Sequence, residues 1–179
     1  MAELTFDLAT VTTELEGFLR PLLAASGLKL SYELRHTARQ FDREYENPDM
    51  VVDFSGPDVN ILLENKGELL RALEQIALDS PRLKFLSHEQ VIFDCQEFRM
   101  MRFAELGLAA QAAADKVKRT GIPYKFGAMS GRERRVIHMA LRGSSDVLTE
   151  SEGMGLHRQV VVRPRQGSAP PARPMGRRR

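Results

Sequence analysis

Several residue types that mark common classes of protein are scarce or absent in this sequence. Its 179 residues include a single cysteine, Cys95, and no tryptophan. One cysteine excludes an intrachain disulfide and suits a reducing compartment such as the cytoplasm. No apolar run approaches the roughly 20 residues that a membrane helix needs, and the acidic N-terminus lacks the basic start of a signal peptide. We therefore predict a cytoplasmic protein without membrane insertion.

Arrangements typical of enzymes and metal proteins are also missing. The four histidines are nowhere paired at the spacing of a metal site. Cys95 lies in a predicted strand, which favours a small core residue over a nucleophile. The glycines of SEGMGLH lack the lysine and the spacing of a phosphate-binding P-loop. We predict no enzymatic activity, no catalytic residue, no metal and no cofactor.

The charges that are present are distributed unevenly. The chain is 42% hydrophobic and 28% charged, as in soluble globular proteins, and its formal net charge is only +2. From Gly153 to the C-terminus, however, there are seven arginines and no acidic residue. This asymmetry indicates nucleic acid as a partner. From Gln166 onward the chain is rich in Pro, Gly and Arg, and we predict a disordered basic tail over residues 166–179.

Periodicity predicts an α-β-β-α-α-β unit in residues 1–95. Apolar residues at helical spacing and alternating apolar residues indicate its helices and strands, respectively. In chain order these are a helix, two strands, a short helical turn, a helix that opens at Gly67, and a third strand. The predicted bounds are residues 8–25, 28–36, 50–56, 58–63, 67–80 and 90–95.

A second small unit is predicted in residues 96–165, which makes the fold class α+β. A long helix over 96–119 ends at Gly121-Ile122-Pro123. A short strand, a helix opened by the Ser130–Glu133 capping box and ended by Gly143, and two further strands follow. The strands are predicted over residues 124–126, 147–149 and 159–162.

The helix that contains RERRVIH carries its basic residues on one side. Placed at about 100° per residue, they fall on an arc of about 100° opposite Val136, Ile137 and Ala140. The basic residues on this arc are Arg134, Arg135, His138 and Arg142. Like charges one turn apart repel, and an anion such as a phosphate would offset that repulsion. A phosphate site and a plain solvated surface both remain open on spacing alone.

Three segments, KVKRTG, AMSGRERRVIHMAL and TESEGMGLHRQVVVRP, resemble the C-terminal half of Jag (SpoIIIJ-associated) proteins. That half is an Arg-x-x-x-His domain, named for the spacing that Arg134 and His138 show. The preceding unit resembles the type II KH domain of the same family. The resemblance covers residues 8–165 and is closest from Lys116 onward.

The resemblance implies that both modules bind single-stranded nucleic acid, chiefly RNA. It also implies a link to RNA regulation, cell-envelope growth and cell shape, often beside a small KH-domain partner protein. Arg134 and His138 would be the signature residues, and Arg158 falls where the family also has an arginine. We expect the separate N-terminal Jag domain of the family to be missing, because the KH-like region starts almost at once.

One loop departs from the family pattern. A KH domain clamps the backbone with a Gly-x-x-Gly loop, and the equivalent stretch here is Glu64-Asn65-Lys66-Gly67. Lys66 and Gly67 are retained, but Glu64 replaces the first glycine. We expect its carboxylate to repel phosphate and its side chain to narrow the approach.

Two functions of different classes follow. The first is a single-stranded nucleic-acid-binding protein, an RNA-binding regulator or RNA chaperone of the Jag type, whose partner is RNA or single-stranded DNA. The alternative is an adaptor whose KH-like unit pairs with a partner KH protein and binds RNA only residually. Thr149 and Ser151 could contact a phosphate or serve core or turn roles, and base stacking is expected to contribute little. The predicted nucleic-acid-binding residues are Arg134, His138, Arg135, Arg142, Arg158, Lys66 and Gly67.

Overall fold

The computed structural model describes residues 7–37, 48–83, 86 and 89–165. Its chain divides into two compact units, the first ending at Arg99 and the second beginning at Met100. The predicted basic tail, and most of the polar segment between the first two predicted strands, lie outside the described residues. Each unit contains a three-stranded sheet.

The first unit has the predicted order of elements. Its sheet runs β1-β2-β3, with β1 antiparallel to β2 and β2 parallel to β3. The prediction of an α+β fold is confirmed for this unit. The elements are α1 (Leu8–Ser26), β1 (Ser31–His36), β2 (Met50–Ser55), α2 (Val59–Asp79) and β3 (Val91–Asp94).

Packing in the first unit follows the sequence pattern. Val11, Leu15 and Leu19 recur every four residues on α1 and are fully buried. The side chain of Asp7 caps the helix by accepting a hydrogen bond from the backbone N–H of Thr10 at 3.1 Å. Residues of β2 and β3 complete a single core with α1 and α2.

The helix α2 is interrupted in the middle. Residues 64–67 have non-helical backbone angles, so a short helical turn precedes a longer helix. The sequence predicted these two pieces separately, with the second opening at Gly67. The break therefore falls where the predicted nucleic-acid loop lies.

The second unit contains most of the long helix and a small antiparallel sheet. Its strands are ordered β4-β6-β5, and both pairings are antiparallel. A 3-10 turn, Gly155–His157, lies between the last two strands. The other elements are α3 (Phe98–Thr120), β4 (Tyr124–Lys125), α4 (Gly131–Ala140), β5 (Val147–Glu152) and β6 (Gln159–Pro164).

The helix α4 is shorter than predicted. Val136 and Ile137 are fully buried, as the apolar side of RERRVIH predicts. The helix ends at Ala140, however, because Leu141 leaves the helical region with φ −108° and ψ 4°. The N–H of Arg142 then donates to the carbonyl of Met139, which closes a tight turn instead of continuing the helix. The expectation that Arg142 shares the basic face of the helix is therefore wrong.

Candidate nucleic-acid interface

The start of α4 is fixed by a capping box and a buried ion pair. The hydroxyl of Ser130 accepts from the N–H of Glu133 at 3.3 Å, and the carboxylate of Glu133 accepts from the N–H of Ser130 at 2.8 Å. The same carboxylate accepts from Nε of Arg102 on α3 at 2.9 Å. Both side chains of this pair are largely buried. The sequence identified the capping box but missed Arg102.

The predicted signature residues face strand β5. Nη1 of Arg134 donates to Oγ of Ser151 at 3.0 Å. The ring of His138 lies between two hydroxyls, with Nδ1 2.7 Å from Oγ1 of Thr149 and Nε2 3.0 Å from Oγ of Ser151. Thr149 and Ser151 are two residues apart on a strand and so share one face. We call these four residues the Arg-His cluster.

The hydrogen bonds of the cluster depend on the protonation of His138. In the neutral ring one nitrogen donates and the other accepts, so one of the two hydroxyls must donate its hydrogen to the ring. In the protonated ring both nitrogens donate. Both hydroxyl hydrogens are then free to point toward a ligand. Protonation thus adds a positive charge and releases a hydroxyl donor at the same place.

The electrostatics of the cluster favour an anion. Burial, and then the charge of Arg158, lower the pKa of Arg134. Burial, and then the charge of Arg134, lower the pKa of His138. The nearby carboxylates of Glu150 and Glu152 are hydrogen-bonded to Arg163 instead. Because positive groups repel each other here, a bound phosphate would relieve the repulsion.

One hydrogen-bond donor of Arg134 has no partner within the described residues. Its Nε is buried and has no hydrogen-bond partner in the part of the chain that the structure describes. A buried donor without a partner costs free energy, commonly about 1–3 kcal/mol.

The other predicted residues of this unit are exposed. Arg135 is exposed on α4, and Arg142 is exposed beyond the end of α4. Arg158 is exposed directly before β6 and close enough to Arg134 to lower its pKa. The sequence left the roles of the two hydroxyls open. The predicted strand ended at Thr149, whereas β5 continues to Glu152 and so includes Ser151.

The predicted loop of the first unit has a strained backbone. Asn65, Lys66 and Gly67 are three successive residues in the left-handed region, with φ of 50°, 62° and 73°. Only glycine adopts this region without cost. Glu64, by contrast, has φ −56° and ψ 151°, which any residue adopts. The residue that replaces the family glycine is therefore not the strained one.

The same loop is held by two contacts within the first unit. Gly67 is buried against the ring of Phe98, and a Cβ added there would lie 2.5 Å from Cε1 of that ring. Nη1 of Arg71 donates to the carbonyl of Lys66 at 2.5 Å. Glu64 and Lys66 are exposed. Arg71 places a second cation beside the loop, which the sequence did not single out.

Neither a metal site nor a membrane-spanning helix is found within the described residues. No group of three or more His, Cys, Asp or Glu side chains in that part of the chain could hold a metal ion. None of its helices combines the length and the apolar character that crossing a membrane requires.

Comparison with known proteins finds one family model that matches this chain and several similar proteins. A family model for the Arg-x-x-x-His domain matches residues 105–164, which include the whole Arg-His cluster. A protein named RNA-binding protein KhpB from Lactiplantibacillus plantarum is 32% identical over 130 residues, covering 73% of this chain and 40% of the relative.

Proteins of the same name from two other bacteria are also similar. The one from Clostridium symbiosum is 28% identical over 137 residues, covering 75% of this chain and 62% of the relative. The one from Bacillus subtilis is 27% identical over 110 residues, covering 60% of this chain and 53% of the relative. The chain spans about half the length of the curated relatives it matches.

Proposed function

The chain belongs to the Jag family and contains an Arg-x-x-x-His domain, and from this premise we propose that it binds single-stranded RNA through the Arg-His cluster. The observation that carries the proposal is the convergence of Arg134 and His138, from a helix, with Thr149 and Ser151, from a strand. A guanidinium, an imidazole and two hydroxyls together supply the charge and the directed donors that a phosphate requires.

We assign different roles to the predicted residues. Arg134 and His138 contact a backbone phosphate, and Arg158 adds charge beside them. Arg135 and Arg142, which are exposed, attract the adjoining phosphates over a longer distance. The proposed recognition is of the backbone, because a cluster of cations and hydroxyls supplies the donors that phosphate oxygens accept from. Such a site suits single strands of varied sequence.

The division of the chain that we propose has three parts. Residues 1–95 form a KH-like module, residues 96–165 form the RNA-binding module that contains the Arg-x-x-x-His domain, and residues 166–179 form a basic tail. In the KH-like module, Lys66 and Gly67 make a weaker backbone contact, which Glu64 opposes. The protein acts without catalysis, in the cytoplasm, as an RNA-binding regulator or RNA chaperone. A connection to cell-envelope growth and cell shape belongs to the same proposal.

A second candidate function is favoured by the surface of the KH-like module. Leu69 and Ile76 on α2 are 36% and 55% exposed, and they are seven residues apart, so they share one face of the helix. Apolar side chains on one helix face suit a protein partner. The chain would then act as an adaptor for a partner KH protein, with RNA binding as a residual activity.

The test of RNA binding removes the two signature side chains. The full chain with Arg134→Ala and His138→Ala is titrated with labelled single-stranded RNA over a range of salt concentrations. We expect weaker binding, and a flatter dependence of log affinity on log salt by about 0.7 for each phosphate that is no longer neutralised. The matched control is Arg20→Ala, because Arg20 is exposed on α1 of the first unit and lies beside Glu16 of the same helix.

Two results decide between the candidates. Unchanged affinity and salt dependence in the double variant, with the protein still folded, would contradict the proposed phosphate site. A stable complex with a partner KH protein, combined with no RNA uptake by the unmodified chain, would favour the adaptor.

A further inference from the structure

The loop that joins β5 to β6 exposes two side chains that have no role in the core. Met154 is 86% exposed, the highest value among the large hydrophobic residues described. His157 is also exposed, three residues further on. An exposed methionine alone is common and needs no explanation. Its position beside the Arg-His cluster gives it significance.

The loop is held in one conformation by its own backbone. The N–H of His157 donates to the carbonyl of Met154 at 3.1 Å, and the N–H of Arg158 donates to the carbonyl of Gly155 at 3.3 Å. The first of these bonds closes a turn that keeps the Cα atoms of Met154 and His157 within about 7 Å of each other. The two residues therefore lie close together in the turn.

Gly153 makes the turn tight. It has φ +88°, and a Cβ added there would lie 2.7 Å from the carbonyl oxygen of His157. Only glycine permits this approach. The loop thus presents its side chains without the entropy loss that a flexible loop would suffer on binding.

Two contacts place the loop beside the cluster. Ser151, which bonds both Arg134 and His138, lies near the end of β5, two residues before Gly153 of the loop. At the other end of the loop, the carbonyl of Arg158 accepts from the N–H of Met129, the residue before the Ser130 cap of α4. The charge of Arg158 also lowers the pKa of Arg134. The loop and the cluster are parts of one surface of the second unit.

We propose that Met154 and His157 form a subsite for a nucleobase next to the phosphate held by the Arg-His cluster. The inference rests on the proposed function, because it needs a strand whose phosphate is already placed at Arg134 and His138. Histidine rings stack on unpaired bases, and the methionine thioether makes favourable contacts with aromatic rings. Neither contact selects one base strongly, so the subsite would accept many sequences.

The other aromatic side chains suit this role less well. Phe54 and Phe93 are buried and pack on each other in the first unit. In the second unit, Phe126 is largely buried and meets the ring of Tyr124 edge-on. The sequence led us to expect little base stacking because tryptophan is absent. The loop supplies a stacking surface from residue types that this expectation did not consider.

The test separates the base from the backbone. Full-length protein is titrated at fixed salt with a short labelled single-stranded RNA, and with an abasic ribose-phosphate strand of the same length. We expect Met154→Ala with His157→Ala to weaken binding of the RNA about fivefold to tenfold, at the low end of the known effects of removing a stacking residue. Binding of the abasic strand, and the salt dependence of RNA binding, should not change.

Three comparisons make the result specific. Met101→Ala removes another exposed methionine, which lies on α3, and should leave both affinities unchanged. His157→Phe keeps an aromatic ring and should preserve the preference for RNA over the abasic strand. Arg134→Ala with His138→Ala should weaken binding of both strands, which tests the phosphate site separately.

Two outcomes would overturn the subsite. One is an equal loss for RNA and the abasic strand in the loop variant, since the loop would then act through charge or folding. The other is no loss for either strand. If the loop variant loses its preference for bases while the Arg134 and His138 variant binds normally, the subsite stands and the assignment of the phosphate to the cluster fails.

Discussion

The loop at residues 64–67 and the Arg-His cluster offer cations in two different ways. In the loop, Lys66 projects from a single segment with three successive left-handed residues and follows the carboxylate of Glu64. In the cluster, Arg134 and His138 come from a regular helix and are hydrogen-bonded to a regular strand. The cluster therefore holds its donors in place before any ligand arrives.

If the proposed function is right, the difference implies that a basic residue becomes a binding residue through the contacts that hold it in place. A side chain whose position is fixed loses less entropy on binding than a free one. Lys66 is exposed, whereas Arg134 and His138 are half-buried and share the hydroxyl of Ser151. The two places also differ in their backbone. Of the two, only the loop contains residues in the left-handed region.

Each unit nevertheless contains a buried ion pair. In the first unit, Nη1 of Arg99 donates to Glu74 at 3.0 Å, and Glu74 also accepts from the N–H of Phe93. In the second unit, Arg102 and Glu133 pair beneath the start of α4. Such pairs add little net stability, but removing one partner leaves an unpaired buried charge.

The largest expected effect comes from breaking the ion pair under the cluster. Glu133→Ala should lower the free energy of unfolding by about 3 kcal/mol, because it leaves Arg102 largely buried without its buried partner and removes half of the capping box. Chemical denaturation measures this. Glu105→Ala is the control, since Glu105 also pairs with Arg102 but is exposed, and its loss should cost less than about 1 kcal/mol. Similar losses in both variants would mean that burial does not decide the strength of this network.

A second prediction concerns a substitution that keeps the positive charge of the cluster but changes the geometry of its hydrogen-bond donors. Arg134→Lys should weaken RNA binding about tenfold, because lysine lacks the planar fork that can bond Ser151 and a phosphate together. Lys66→Ala, which removes a whole charge from the loop, should weaken it less. Binding curves at one salt concentration give both values. If Lys66→Ala binds RNA more weakly than Arg134→Lys does, the contrast between the loop and the cluster is contradicted.

A third prediction concerns the carboxylate of the loop. Glu64→Gly should strengthen RNA binding about fivefold, which corresponds to removing a repulsion of about 1 kcal/mol. Because the backbone at Glu64 suits any residue, Glu64→Gln should give most of this gain without new flexibility. The control Glu68→Gln removes a neighbouring exposed charge and should have a smaller effect. Weaker binding by Glu64→Gln would make Glu64 a binding residue and end its interpretation as an obstacle.

The smallest expected effect is the pH dependence of the cluster. The pKa of His138 is lowered from 6.5 in the free protein, and a bound phosphate should raise it. RNA affinity should therefore rise about threefold as the pH falls from about 8 to about 6, beyond any rise that His138→Asn retains. Titrations of both proteins at several pH values measure the difference. Parallel profiles would mean that His138 does not gain a proton with the ligand.

The same shift has the opposite sign for stability without RNA. Because the folded pKa lies below the unfolded value of 6.5, the unfolded state binds more protons between the two. The free energy of unfolding should fall as the pH is lowered through this window, and His138→Asn should remove that part of the decrease. Thermal melting with and without RNA separates the two signs.

Much of the fold could be predicted because the local signals agree with the tertiary structure. The spacing of Val11, Leu15 and Leu19 indicates both the helix and the face that it buries. The Ser130–Glu133 capping box locates the start of α4 to the residue. The predicted end of α4 was wrong. Gly143 indicated that the helix ends there, but the turn at Leu141 ends it earlier, at Ala140. A helix end depends on where the chain must go next, which no local signal records.

The sequence by itself determined the pair Arg134 and His138, because their i, i+4 spacing on an amphipathic helix places them together away from Val136 and Ile137. Only the tertiary structure decided what those side chains face. The sheet brings Thr149 and Ser151 beside them, and the β5–β6 turn places Met154 and His157 at the same surface. Pairing between strands brings together residues that are distant in the chain. The backbone groups that form these hydrogen bonds are the same at almost every residue, so the sequence does not record which side chains the pairing will bring together. The basic face of the helix could therefore be predicted from the sequence, whereas the residues that it faces could not.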